Sequence, residues 1–279
     1  MEEEEVKPPT PKKKPKKKPT IKPPASYKLF DFIFPGGKLA KLCKIHNYSK
    51  AKSSIISILE QFKFKEALPS IVLAGARDTG RGKLLAGVNR AALRSDAVII
   101  DSGVKTGIET YCLRRKVNLI GVFPETQIAL PKINPTQVQL NELTNGHSHL
   151  FMECSPNAKK WGSEAELKYQ IAHELARGNQ TYREYRNSAC KIVYVLMGDC
   201  DIEEWIGDLK IAVEKNLPII LVKGNDICDK MISFINEKTK FYNAEIEDLL
   251  EKGHFFALES NKSEDIAAFL HFLLSVTPY

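Results

Sequence analysis

The strongest constraint on this chain is a regular alternation of short, β-branched apolar runs with amphipathic helices. The runs Ile71–Ala76, Ala97–Asp101, Val117–Phe123, Ser148–Cys154, Lys191–Met197 and Pro218–Val222 read as strands that are apolar along most of their length. A strand without a polar face must be covered on both sides, as in a parallel sheet. Between these runs the spacing predicts helices over Lys83–Arg94, Thr106–Arg115, Ser163–Arg177, Asp201–Lys215 and Asp226–Glu237. Leu167, Ile171 and Leu175 recur at i, i+4 and i+8, and Trp205, Leu209 and Val213 share one face, as an inward stripe requires. The fold class is therefore α/β: a doubly wound, mostly parallel, Rossmann-like sheet with helices on both faces.

The ends of the chain extend this pattern. Tyr27–Phe34 reads as a first strand closed by Pro35-Gly-Gly37, and Ser53–Gln61 as a helix. Proline-bearing Pro124–Pro135 reads as a loop and His254–Leu258 as a terminal strand. Asn261 with Glu264 gives a capping-box signal for a last helix. Residues 27–279 are thus expected to form a single domain. Residues 1–26 are expected to be a disordered tail, with an acidic cap followed by a lysine- and proline-rich stretch. Proline removes backbone donors and the lysines repel one another, so an extended arm is expected there.

Charge separates the tail from the domain. Residues 1–24 hold eight lysines against four glutamates, more than half of the net charge of +7. The basicity therefore describes the tail's partner rather than the domain's ligand. Three readings of the tail stand side by side: a solubiliser, a grip through residues 7–22 on an acidic surface such as tubulin or nucleic acid, and a nuclear-localisation signal. The six cysteines lack metal-ligand spacing, no run is long enough to span a bilayer, and the acidic start is not an export signal. A cytoplasmic setting is expected, with a cytoskeletal or ciliary one as a narrower version.

Right-handed crossovers place the C-terminal ends of parallel strands on one rim, where helix N-termini offer free N–H groups to ligands. Three stretches fall there. Gly103-Val-Lys-Thr-Gly107 follows a strand; its glycines would let backbone approach a phosphate, with Lys105 and Thr106 adding charge and a hydroxyl. Two glycines also serve a plain strand-to-helix turn. Trp161-Gly-Ser-Glu164 opens a helix that carries Lys168. Trp161 either stacks on a base or covers the core, and Lys168 either meets a phosphate or sits on a solvated face. Gly198-Asp199 and Gly224-Asn225 end two strands and also suit simple turns. His147 and His149 flank Ser148 on one strand face, with no third ligand at metal spacing, so a structural role is expected for both.

Taken together and in order, these stretches resemble the cytosolic N-terminal SLOG-type (LSDAT) domain of melastatin-type TRP channels. Leu143-Thr-Asn-Gly-His-Ser-His149 is similar to that family's Leu-Asn-x-x-His-Thr-His, and Trp161-Gly-x-Glu164 to its Tyr-Gly-x-Glu. The resemblance covers roughly Tyr27 to Ser275. It implies a ligand such as ADP-ribose or a related nucleotide, held by Gly103, Thr106, Gly107, Trp161, Glu164 and Lys168, to which the reading of the loops themselves adds Lys105 and Gly162. Gly75 and Gly198 would stand at the ends of neighbouring strands. The sequence departs from the family pattern at Ala76, Asp101, Ser102 and Asp199, where glycine or threonine is usual. These departures add Cβ atoms and two negative charges where phosphate is expected to approach.

The resemblance implies a non-catalytic domain that senses a nucleotide derivative, or a degenerate scaffold version of it. A structural protein anchored by its basic tail to an acidic assembly, such as an axonemal microtubule, is the alternative. Some bacterial and plant relatives are nucleotide N-glycosidases with the loop Pro-Gly-Gly-x-Gly-Thr-x-x-Glu, making an enzyme the third reading. No catalytic residue, metal or firm cofactor is assigned.

Overall fold

A computed structural model describes residues 26–78, 80–129, 141–156, 158–180, 191–241, 243–259 and 261–275. The expectations for the tail up to residue 25, and for residues 130–135 of the loop, lie outside these residues. Among the described residues the nine strands are β1 (Tyr27–Ile33), β2 (Leu39–Ile45), β3 (Ser70–Ala74), β4 (Val98–Asp101), β5 (Leu119–Pro124), β6 (His149–Glu153), β7 (Ile192–Leu196), β8 (Pro218–Val222) and β9 (His254–Leu258). The helices are α1 (Tyr48–Ala51), α2 (Ile55–Gln61), α3 (Gly82–Ser95), α4 (Ile108–Arg115), α5 (Ala165–Arg177), α6 (Ile202–Glu214), α7 (Asp226–Glu237), α8 (Ala244–Lys252) and α9 (Ser263–Ser275).

All nine strands form one sheet in the order β1-β2-β6-β5-β4-β3-β7-β8-β9. Every pairing is parallel except β1 with β2. The doubly wound expectation therefore holds, with one reversed edge strand. In that pair Tyr27 lies opposite Ile45, which lies beside Glu153 at the end of β6. The start of β1 thus sits on the rim where the parallel strands end.

One face of the sheet packs on α2, α5, α6, α7 and α8 through a large core that includes Ile58, Ile171, Trp205 and Met231. The opposite face packs on α3, α4 and α9 through Leu84, Val88, Ile108 and Leu270. A smaller core around Phe34, Phe123, Leu150 and Trp161 closes the β2-β6-β5 end. Burial of both faces explains the unbroken apolar runs of β3 and β7, whose residues are all buried.

Three of these elements lie outside the sequence reading: β2, the single turn α1 and α8. β2 reads Leu39-Ala-Lys-Leu-Cys-Lys-Ile, and its lysines hide an interior strand. Lys41 pairs with Asp31, and Lys44 reaches Glu125 at 3.2 Å, so each keeps its ammonium at the surface while its stem lies along the sheet. α8 is capped by Asn243, whose side chain accepts from the N–H groups of Glu245 and Ile246. Glu264 of the expected capping box binds Arg90 and Arg94 on α3.

Candidate functional site

The strand order reverses between β3 and β7. β4, β5 and β6 are laid down on one side of β3, while β7, β8 and β9 follow on the other. A crevice opens at such a switch point, outside the strand C-termini. Here the loops after β3, β7 and β8 frame an open polar cleft of about 460 Å³, lined by Arg77, Asp78, Gly198, Asp199, Asp201 and Asn225 among others. Adjoining it through Arg77 and Cys200 is a small pocket of about 20 Å³, lined in part by Gly75, Ser102, Trp161, Glu164 and Lys168.

The loop conformations follow from local chemistry. Gly75 has φ +64°, and an added Cβ would lie 2.9 Å from Trp205 Cδ1. The chain can leave β3 in this direction only because that atom is missing. The Gly75 carbonyl then accepts from Asp199 N–H at 2.7 Å, tying the β3 and β7 loops together. Asn225 caps α7 and donates its amide to Gly198 O at 2.8 Å, bringing in the β8 loop.

Gly75, Trp161, Glu164 and Lys168, drawn from two separate stretches of sequence, meet around the small pocket. Gly198 lies beside them on the open cleft. Gly162 faces away, its Cα backed against α6 so that a Cβ would fall 2.5 Å from Glu203 O. Lys105 is set apart: it pairs with Asp78 at 2.9 Å and lines a separate depression with Phe34 and Leu143.

The β4–α4 turn is closed on itself. Thr106 is fully buried, with its Oγ1 3.1 Å from Asp101 Oδ2 and 3.2 Å from Glu109 Oε2. Gly107 N–H donates to Glu109 Oε2 at 2.8 Å, and Gly103 N–H to Asp101 Oδ1 at 2.8 Å. A carboxylate of the chain itself thus takes the N–H group at the mouth of α4, the position at which a helix N-terminus favours an anion.

Asp101 does not project its charge into the rim as the sequence suggested. It is completely buried and bound to His147 Nε2 at 2.8 Å. His147 Nδ1 meets Thr144 O at 3.0 Å, so both ring nitrogens face acceptors and the imidazolium fits the site. Burial works against that charge, but Asp101 outweighs it and the His147 pKa rises. His149 does not share this site. It begins β6 and packs on Phe64 and Phe62, with ring centroids 4.7 and 5.0 Å away. Burial holds its pKa down to about 4, so the ring is neutral.

Lys168 is neither a solvated residue nor free to meet a phosphate. Its Nζ is 3.0 Å from both Glu164 Oε1 and Asp208 Oδ2, and all three groups are buried. Burial disfavours the ammonium, but the Asp208 and Glu164 carboxylates prevail and its pKa is raised. Trp161 lies under Arg77, whose guanidinium carbon is 5.1 Å from the ring centroid. Arg77 Nη2 also donates to Glu204 Oε2 at 2.6 Å. Asp199 pairs with Arg81 at 2.9 Å, yet burial pushes its carboxyl pKa up to about 6.

Arg77 and Asp208 are the residues that sequence reasoning missed, together with the hold that Glu109 has on the β4–α4 turn. Thr106-Gly-Ile-Glu109 carries a capping-box spacing that announces Glu109. Asp208 interrupts the apolar stripe of Trp205, Leu209 and Ala212, where a carboxylate needs a buried partner. Arg77 had only its place at the end of β3 to mark it. Among the described residues, no group of three or more His, Cys, Asp or Glu could hold a metal ion. No described helix is long and apolar enough to cross a membrane. Five cysteines lie within the described residues as free thiols, with pKa values pushed up to about 12 by burial.

A protein-family model described as SLOG in TRPM, prokaryote, matches residues 68–268, well over half of the chain. No curated protein sequence matches. Among solved structures, the chain is similar to a molybdenum cofactor binding protein from the phototrophic bacterium Rippkaea orientalis. That match has 9% identity and a TM-score of 0.41, and covers 74% of this chain and 98% of the other. FtsY from Mycoplasma mycoides matches with 13% identity and a TM-score of 0.28, over 81% of this chain and 78% of its own. Both scores are too low to carry an argument.

Proposed function

We propose, from the premise that the chain belongs to the SLOG family described as SLOG in TRPM, prokaryote, that it is a non-catalytic domain sensing a nucleotide derivative of the ADP-ribose type at the β3–β7 rim. The observation that carries this reading is the convergence of Gly75, Trp161, Glu164 and Lys168 on one small pocket that shares Arg77 and Cys200 with the polar cleft at the switch point. An indole at the mouth offers a stacking surface, and the strand C-termini are where this sheet class binds ligands. A non-catalytic role is supported by the carboxylates themselves. Asp101 is bound by His147, and Glu109 is held by Thr106 and Gly107.

Isothermal titration of the full chain with ADP-ribose, NAD and AMP tests this reading. Saturable binding that is lost in Trp161→Ala supports it. Silence with all three ligands refutes it. Release of free adenine from AMP would refute the non-catalytic part and favour an N-glycosidase.

A second reading is a scaffold whose site has closed. The observation in its favour is that Thr106, the Gly107 N–H and Lys168 each already have an internal acidic partner. In that reading residues 7–22 grip an acidic assembly, with tubulin, and hence a cytoskeletal or ciliary setting, as the case to test. Co-sedimentation with polymerised tubulin that falls with salt and with deletion of residues 1–24 would support it.

A further inference from the structure

Arg77 stands where two spaces meet. It lines both the small pocket of about 20 Å³ and the open cleft of about 460 Å³. Its side chain touches three other parts of the fold. The guanidinium lies over the Trp161 ring, Nη2 binds Glu204 on α6, and Nη1 is 3.4 Å from Asn141 Oδ1. A guanidinium is planar and stacks on aromatic faces much as a heteroaromatic ring does. It therefore occupies the surface that a ring-bearing ligand would need.

The small pocket has the character of a binding site. Ser102 Oγ, Trp161 Nε1 and Glu164 Oε2 are buried, belong to residues that line it, and have no hydrogen-bond partner among the described residues. Buried polar groups ordinarily have one. Glu164 is 1% and Trp161 8% exposed, so these atoms are not simply turned to solvent. The set combines an N–H donor, a carboxylate acceptor and a hydroxyl that can do either, as a base edge requires. At about 20 Å³ the cavity has room for roughly one water and not for a ring.

We propose that Arg77 is an internal stopper: its side chain occupies the stacking position on Trp161, divides one binding site into two spaces, and must swing off the indole to admit a planar heteroaromatic ring. This rests on the ligand-sensing reading above and adds an autoinhibitory contact to it. Among the described residues the hold on Arg77 is the Trp161 ring, one ion pair with Glu204 and a long contact to Asn141, on a loop that borders an open cleft. The proposal inverts the usual expectation for a rim arginine: removing it strengthens the binding of a neutral ring.

The test uses the full chain as wild type, Arg77→Ala, Glu204→Gln and Arg77→Ala/Trp161→Phe. The first readout is quenching of tryptophan fluorescence by acrylamide, a neutral probe. Trp205 is fully buried and serves as the protected background. Acrylamide access is expected to rise severalfold in Arg77→Ala, to rise less in Glu204→Gln, and to return to background in the double variant. The second readout is adenosine titration, with a dissociation constant at least about tenfold lower in Arg77→Ala than in wild type, as expected when a binding-competent state becomes the main one. Unchanged acrylamide access in both single variants, or weaker adenosine binding in Arg77→Ala, overturns the proposal. Glu204→Gln retains Arg77 and guards against a folding defect in the alanine variant. If access rises but neither adenosine nor ADP-ribose binds any of the proteins, the stopper stands and the nucleotide reading falls.

Discussion

Replacement of Lys168 by methionine is expected to cost far more stability than the loss of a surface lysine. The Lys168 ammonium is 3.0 Å from Glu164 and 3.0 Å from Asp208, with the three residues 3%, 1% and 0% exposed. Methionine fills much of the lysine stem's volume, so the perturbation is mainly electrostatic. It leaves two buried carboxylates without their cation, and breaking a buried ion pair in this way costs about 3–5 kcal/mol. At roughly 2–4 °C per kcal/mol for a domain of this size, the melting temperature falls by about 6–20 °C. Circular dichroism melts and urea midpoints at neutral pH measure the loss. The deficit must narrow as pH falls, because burial already raises the Asp208 carboxyl pKa and protonation relieves the orphaned charge. Adding Glu164→Gln and Asp208→Asn to Lys168→Met should recover most of the stability, since those carboxylates carry the penalty. A loss under about 1 kcal/mol in Lys168→Met, or a deficit independent of pH, would refute the buried triad and return Lys168 to the role of an available ligand contact.

The remaining predictions concern the β4–α4 turn. Thr106→Val removes the hydroxyl beside two carboxylates and should lower stability by about 1–3 kcal/mol, read from the urea midpoint. His147→Gln should remove a pH-dependent contribution. Because the folded pKa of His147 is raised, its stabilisation is fully present below the unfolded value of about 6.5 and is lost as pH rises through the folded value. The gap in urea midpoint between wild type and His147→Gln should therefore be widest near pH 6 and shrink in alkali; a gap that grows with pH would show that the ring is buried neutral. Gly146→Ala would place a Cβ 1.9 Å from Glu109 Cβ and 2.6 Å from its Cα, so it should destabilise by about 1–3 kcal/mol or more. A thermal shift indistinguishable from wild type would show that the turn is not packed as described.

Periodicity carried most of the fold because burial on both faces leaves a strong mark. β7 and β8 are apolar from end to end, β3 is so after Ser70, and α6 keeps its stripe from Ile202 to Val213. The same reasoning failed at β2, whose lysines fold back to the surface, and passed over α8 although Ile246, Leu249 and Leu250 follow the Asn243 cap at helical spacing. At the rim, the sequence named residues that do meet, such as Gly75 with Trp161 and Lys168, because motifs mark where strands end. It could not say what they touch. Whether Lys168 faces solvent or Asp208 depends on which side of α6 lies against α5, and a pairing across 40 residues leaves no local trace. Asp101 is the clearest case: as a letter it is a charge at a phosphate loop, and in the fold it is the counter-ion of His147, 46 residues away.

The reversed direction of β1 bears on how the two ends of this protein's work are joined. Its first residue, Tyr27, lies opposite Ile45, at the level where β6 and β5 finish. Whatever precedes Ser26 therefore sets out from the rim that also carries the cleft, at the edge of the sheet and five strands away from β3. A partner held there would meet the ligand's side of the sheet rather than its back.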